Sequence, residues 1–147
     1  MESKIASSIG FLHHMGVEEL YVVTTHWLSD IVFFEQEISY FQSLISRYFL
    51  PNIEEDNLLL IRSLSTHFGS LNLRKEQLRN TILQHQHQLS DLLQTNNIEN
   101  ESQLNVVHSE LEGRFFSFIT ELRQIKLEFF NATKFSGQAK TKIGDNY

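Results

Sequence analysis

The sequence predicts an all-α protein, an elongated antiparallel three-helix bundle whose helices run up, down and up. Three segments carry apolar residues at gaps that alternate between three and four residues. This spacing places the apolar side chains in one narrow stripe, here called a seam, along one face of an α-helix, as in coiled coils. Polar breaks separate the segments, and short connections make consecutive helices antiparallel. One proline and six glycines in 147 residues leave little material for a turn-rich β fold.

The first seam predicts a helix that ends just before Pro51, because proline disfavours helical geometry in the residue that precedes it. The helix extends back to Val17 only if the β-branched run at residues 22–25 tolerates helical geometry. In that case Leu20 and Thr24 continue the seam. The seam itself consists of Trp27, Ile31, Phe34, Ile38, Phe41, Ile45 and Tyr48.

The second seam predicts a helix from about Asn52 to Gln94, with acidic residues in the first turn that suit the positive end of the helix dipole. Its members are Ile61, Leu64, Phe68, Leu71, Lys75, Leu78, Ile82, His85, Leu89 and Leu92. Asn100 and Gln103 resemble a capping box that starts a third helix, which is expected to fade by Lys134. The third seam consists of Leu104, His108, Leu111, Phe115, Phe118, Leu122, Ile125 and Phe129.

The predicted domain organisation follows from these limits. Residues 17–136 form the bundle. Residues 1–16 form an N-terminal extension with a possible short extra helix, and residues 137–147 form a flexible C-terminal tail.

Charge and composition exclude several classes of function. With 12 basic and 18 acidic residues the net charge is −6, and no basic stripe for nucleic acid or for a membrane surface is visible. Cysteine is absent, which removes disulfides, thiolate metal sites and thiol nucleophiles. No apolar run is long enough to span a bilayer, and the N-terminus lacks the apolar core of a signal peptide. We therefore expect a cytoplasmic protein without nucleic-acid or membrane partners.

Lys75 is a polar residue on an otherwise apolar seam. A first turn centred on Pro51 sets it beside Trp27, and a second turn near residue 96 adds Phe118 to the same layer. The stem of the lysine is then expected to pack while its ammonium reaches Asp30 or Glu121. We interpret Lys75 as a residue that fixes helix register rather than as a catalytic lysine.

The same alignment brings His85 and His108, the two histidines that occupy seam positions, into one layer with Val17. A slip of the last two helices by one heptad would instead set His85 opposite Phe115. The simplest interpretation of the layer is a hydrogen-bonded or solvated histidine pair near one end of the bundle.

A divalent-metal site is the alternative interpretation of this layer. Glu18 would lie beside it and His14 one turn earlier, so that His14, Glu18, His85 and His108 form the candidate ligand set for Zn, Fe or Mn. The repeated Glu-x-x-His motif of di-iron bundles is missing, and no cofactor is expected. No catalytic motif is found either, so the sequence favours a protein that is not an enzyme.

Several large apolar residues lie outside the seams and predict an interaction surface. Clustered exposed apolar residues mark a partner surface, which here means a second copy of the chain or another helical protein. The alternative is that residues 5–15 fold back and cover one patch. The residues chosen for this surface are Phe33, Tyr40, Leu73, Phe116 and Phe130; Leu59, Leu83 and Leu127 share their off-seam character.

The stretch WLSDIVFFEQE, which begins at Trp27, resembles the opening of uncharacterised bacterial helical-bundle proteins that read Trp-x-x-Glu-Ile-x-Phe-x-x-x-Glu. Those proteins end in a helix similar to FITELR, which begins here at Phe118. The resemblance covers residues 26–131, and Asp30 departs from the pattern. It implies a helical bundle and carries no function.

Overall fold

A computed structural model describes residues 16–52, 55–95 and 100–145, including all side chains except those of residues 55–56 and 135–145. Helix α1 spans Val17–Leu44 and continues through a π-helical segment, Ile45–Phe49, into the short helix α2, Leu50–Asn52. Helix α3 spans Glu55–Thr95 and helix α4 spans Glu101–Asp145. The described residues contain no strand, and the three long helices pack against each other. The predicted all-α bundle is therefore confirmed. The predicted extra helix at 1–16 lies, apart from Gly16, outside the described residues.

Burial confirms the three seams with few exceptions. Every member of the second and third seams is buried, and so are Leu20 and Thr24 in the backward extension of the first. The β-branched run does not interrupt α1, and within it the hydroxyl groups of Thr24 and Thr25 both donate to the carbonyl oxygen of Tyr21, at 2.6 and 3.1 Å. Such bonds to the preceding turn satisfy the polar atoms within the helix itself.

The end of the first helix differs from the prediction. Tyr48 was assigned to the seam, but its side chain is 64% exposed, and Phe49 instead packs on Phe129 with ring centroids 5.4 Å apart. The π-helical turn holds one more residue than an α-helical turn, so the core position moves from residue 48 to residue 49. The widened turn also accommodates Pro51, whose ring would clash with the carbonyl group four residues earlier in a regular α-helix.

The last helix is longer than predicted. It was expected to fade by Lys134, whereas α4 continues to Asp145. Gly137 within a helix costs only about 1 kcal/mol relative to alanine, and no proline follows it. The flexibility expected for residues 137–147 stays a prediction.

The described chain divides into two compact units, to both of which α1, α3 and α4 contribute. Unit 1 comprises the chain up to Phe33 together with Glu76–Ser117, and unit 2 comprises Phe34–Lys75 together with the chain from Phe118 onwards. In unit 1, Leu20 packs with Leu89, Leu92 and Leu104.

In unit 2, Phe41 of α1 stacks on Phe68 of α3 at 5.3 Å and meets Phe129 of α4 edge-on at 5.1 Å. Lys75 lies further along α3 than Phe68, yet it meets Glu35, which comes earlier on α1 than Phe41. This order shows that α3 runs antiparallel to α1. The pair Phe34 and Phe118, 5.6 Å apart, lies before the pair Phe41 and Phe129 on both helices, so α1 and α4 are parallel.

The predicted register of α1 against α3 was wrong by about one heptad. Lys75 meets Glu35, not the predicted Trp27 layer, and Val17 packs on the leucine cluster of unit 1 instead of joining His85. The prediction placed the turn at Pro51, but the helix runs on through that residue to Asn52. Extra residues before the turn shift every partner on α1 towards higher numbers. The register of α3 against α4 was predicted correctly, because His85 and His108 do meet.

Candidate functional site

The two core histidines form a direct contact in unit 1. His85 Nε2 of α3 and His108 Nδ1 of α4 are 3.1 Å apart, a hydrogen-bond distance. The side chains are nearly inaccessible, with 2% and 4% of the residue surface exposed. Both residues occupy seam positions, so the same heptad spacing that fills the core with leucine elsewhere brings two imidazoles together here.

The hydrogen-bonding capacity of this pair is only half used. His85 Nδ1 and His108 Nε2 are buried, and in the part of the chain that the structure describes neither has a hydrogen-bond partner. A neutral imidazole has one donor and one acceptor nitrogen, so whichever ring donates to the other, one N–H and one lone pair remain unsatisfied. An unsatisfied buried polar group costs about 1–3 kcal/mol, so burying this pair lowers the stability of the folded protein.

The surroundings of the pair are mostly apolar. The indole of Trp27 stacks on His108 with ring centroids 4.6 Å apart, and it also stacks on Phe115 at 5.4 Å. Gln86 Nε2 donates to the hydroxyl oxygens of Thr24 and Thr25, at 3.3 and 3.0 Å, and so links α3 to α1. Thr24, not Val17, is thus the α1 residue beside this part of α3.

Burial dominates the protonation chemistry of both rings. Desolvation lowers the pKa of His85 below its usual value, and desolvation together with the nearby charge of His85 lowers the pKa of His108 to about 4. Both imidazoles are therefore neutral at pH 7. Neutral imidazoles are proton acceptors and metal ligands rather than anion-binding groups.

The candidate metal ligands do not converge among the described residues. Glu18 lies at the exposed start of α1, and the one-heptad register error explains why it misses the histidine layer. The described residues hold no group of three or more His, Cys, Asp or Glu side chains arranged for a metal ion. His14 lies outside the described residues. The histidine pair offers two nitrogen ligands, which is fewer than the three or four that protein zinc sites use.

The buried lysine has polar partners in unit 2. Only 2% of Lys75 is exposed; its Nζ donates to Asn72 Oδ1 at 2.9 Å and lies 3.6 Å from Glu35 Oε1. The sequence had suggested Asp30 or Glu121 as the carboxylate. Glu121 instead accepts a hydrogen bond from Arg74 and lies 3.6 Å from His67. The hydrogen bond from Arg74 is the main reason why the pKa of Glu121 is lowered.

All five residues predicted for the interaction surface are exposed. In unit 2, Tyr40 is 60% and Phe130 is 56% exposed, and both rings contact Phe41, at 5.6 and 5.7 Å between centroids. Beside them, Lys126 Nζ donates to Glu37 Oε2 at 2.5 Å. We call Tyr40 and Phe130, with this ion pair, the aromatic face of unit 2.

The remaining predicted surface residues are divided between the two units. Leu73 is exposed on α3 of unit 2, and Phe33 and Phe116 are exposed in unit 1. The ring of Phe116 contacts Phe115 at 6.2 Å, which connects it to the stack on Trp27. Residues 5–15, the alternative cover for these side chains, lie outside the described residues.

Sequence reasoning missed two features of these sites. Exposed Tyr48 adds a large aromatic surface that the seam assignment had placed in the core. The link from Gln86 to Thr24 and Thr25 was also missed, because it depends on the register of α1 against α3.

Comparison of the chain with protein-family models, with curated proteins and with solved structures finds no match. The resemblance to bacterial helical-bundle proteins therefore stays an expectation from the sequence motif. Within the described residues, no helix combines the length and the apolar character that a membrane span requires.

Proposed function

We propose that this protein acts through helix–helix contacts and that it forms a dimer with a second copy of itself through the aromatic face of unit 2. The observation that carries the proposal is that Tyr40 and Phe130, both more than half exposed, are each in ring contact with Phe41. A cytoplasmic location and coiled-coil-like packing belong to the same proposal.

The two aromatic side chains are not needed for the core. Phe41, Phe68 and Phe129 already fill the interior at this level of unit 2. Tyr40 and Phe130 therefore expose apolar area to water, and covering that area with another surface would lower the free energy. Aromatic residues of this kind are enriched among the residues that contribute most to binding at protein interfaces.

Charge favours a second copy as the occupant. The aromatic face carries one carboxylate, Glu37, and one ammonium, Lys126. A two-fold axis places the same patch on both sides of an interface, so a residue of one copy meets a different residue of the other. Glu37 of each copy can then approach Lys126 of its partner, whereas a face with charges of one sign would repel its own copy.

The test is the mass of the purified protein by size-exclusion chromatography with light scattering over a wide range of concentration. We expect a concentration-dependent dimer. The double variant Tyr40→Gln/Phe130→Gln should weaken dimerisation at least about tenfold, which corresponds to about 1.4 kcal/mol. A matched control is Leu59→Gln, which removes a side chain that is 78% exposed on α3. It should leave the dimerisation constant unchanged.

Two results would contradict the proposal. A strict monomer at every concentration excludes a second copy and leaves a different helical protein as the partner to look for. If the double variant leaves the dimer intact and Leu73→Gln disrupts it, the interface lies on α3 and not on the aromatic face.

A further inference from the structure

The layer that contains His85 and His108 differs from the remaining core of unit 1. In it, one hydrogen bond joins two neutral rings, and the other two ring nitrogens have no hydrogen-bond partner among the described residues. Each additional proton would add a buried charge. With both rings protonated, all four nitrogens carry hydrogen, so the bond between Nε2 and Nδ1 is lost and two cations face each other at that contact.

The groups around the pair offer little compensation for such a charge. On α1, Trp27 stacks on His108, and the indole does not titrate in the acid range. Thr24 lies nearby along α1, where its hydroxyl donates to Tyr21 and accepts from Gln86. On α3, Gln86 is the neighbour of His85 and is bound to α1. The charge on α3 that acts on His108 is that of His85 itself.

Among the described residues, no carboxylate joins the two histidines in a group that could hold a metal ion. The nearest acid–histidine pairing in this part of α3 is on the surface, where Asp91 lies 3.6 Å from His87. The face of Trp27 favours a cation on His108, through a cation–π contact.

We propose that the His85–His108 pair is an acid-sensitive switch in unit 1: when the imidazoles take up protons, α3 and α4 separate at this layer. Unit 2 lacks the switch, because the described part of that unit contains no buried histidine. Acid therefore opens unit 1 before unit 2.

Hydrogen exchange measured by mass spectrometry at several pH values tests this proposal, after correction for the intrinsic pH dependence of exchange. We expect the opening constant of the α3 and α4 amides in unit 1 to rise as the pH falls below about 6.5. Each proton taken up on opening contributes a factor of about ten per pH unit. Amides of α3 and α4 in unit 2 should show no such slope over the same range.

The single tryptophan provides a second measurement on the unmodified protein. Trp27 stacks on His108, and a protonated imidazole quenches the fluorescence of an adjacent indole. We expect quenching of Trp27 in acid with a midpoint well below pH 6.5. The two matched variants are His85→Leu/His108→Leu, which should abolish the pH slope of unit 1, and His87→Gln on the exposed side of α3, which should preserve it.

The proposal is wrong if the two units lose protection together at the same pH, or if the double leucine variant keeps the slope of the parent. If the double variant does not fold, hydrogen exchange and Trp27 fluorescence of the unmodified protein still test the proposal. A midpoint for Trp27 quenching at or above pH 6.5 would mean that protons reach His108 without opening the layer.

Discussion

At the scale of single residues, Lys75 shows how a charged side chain can occupy a core position. Its stem takes the place of an apolar residue, and its ammonium is held by Asn72 and Glu35. Half of Glu35 is in contact with solvent, so the ion pair itself contributes little. Its value is in specificity, because a register slip would bury the ammonium without these partners.

Substituting Lys75 separates the contribution of the stem from that of the charge. Lys75→Met keeps the volume and removes the charge, so the free energy of unfolding should change by less than about 1 kcal/mol or rise. Lys75→Ala also removes the packed stem and should lower it by about 2 kcal/mol. Urea unfolding followed by circular dichroism measures both. Equal losses in the two variants would show that the ammonium contacts matter more than the packing.

Tyr48 and Phe49 are adjacent aromatic residues with opposite environments. Phe49→Ala removes a ring packed on Phe129 and should lower the free energy of unfolding by roughly 2 kcal/mol. Tyr48→Ala should change it by less than about 0.5 kcal/mol, because that side chain is mostly exposed. Chemical denaturation of the two variants side by side checks the register set by the π-helical segment. A larger loss of unfolding free energy for Tyr48→Ala than for Phe49→Ala would show that residue 48, not residue 49, occupies the core position.

At the scale of elements, local sequence signals predicted the presence of each helix more accurately than its ends. Pro51 predicted a helix end, but the π-helical turn before it lets the chain continue to Asn52. Gly137 predicted a fading helix, but the neighbouring residues keep α4 helical. Each of these residues disfavours a helix by an amount that the surrounding helix can offset.

Gly113 gives a prediction for α4. It lies on an exposed stretch of the helix, and a methyl group added there would meet no atom within 4 Å. Gly113→Ala should therefore raise the free energy of unfolding by about 0.5–1 kcal/mol, because alanine loses less conformational entropy in a helix. Thermal unfolding by calorimetry measures the gain. Gly69→Ala is a control with a similar expectation, since its added methyl group would meet Gln42 at 4.0 Å, an ordinary contact. A loss of stability at residue 113 would indicate that something covers this site.

At the scale of the whole molecule, the two units differ in the chemistry of their cores. Unit 1 buries Thr24 and the histidine pair, while unit 2 is built around a cluster of phenylalanines and the charged Lys75. The polar layers differ from one another, and pairing them with the wrong partners would leave buried polar groups unsatisfied. Such differences select one register among several that the apolar seams alone would permit.

The histidine pair predicts an acid-dependent loss of stability. The pKa of His108 is about 4 in the folded protein and near 6.5 when unfolded, so the unfolded state binds more protons between these values. Stability is therefore complete above pH 6.5 and declines as the pH falls towards 4. At pH 5, His108 alone should cost about 2 kcal/mol relative to pH 7. The lowered pKa of Glu121 acts in the same direction but at lower pH, where that carboxylate becomes protonated.

Urea unfolding at pH 7 and pH 5 measures this difference in free energy. In His108→Leu the difference should shrink, while His26→Gln, at an exposed position of α1, should behave like the parent. A parent protein as stable at pH 5 as at pH 7 would contradict the burial of two neutral imidazoles.

Sequence alone determined the helices, their seams and the pairing of α3 with α4, because heptad spacing decides which face of a helix is apolar and a short connection leaves little freedom in register. The sequence therefore predicted that His85 lies opposite His108 and that the off-seam aromatic residues are exposed. Only the tertiary structure decided the register of α1. That register depends on how many residues precede the turn, and the π-helical segment and the passage through Pro51 add residues that periodicity does not reveal. After a shift of one heptad, apolar seam residues still face apolar seam residues, so the seam pattern alone does not distinguish the two registers. The shift nevertheless places Glu35 instead of Trp27 beside Lys75, and it removes Glu18 from the histidine layer.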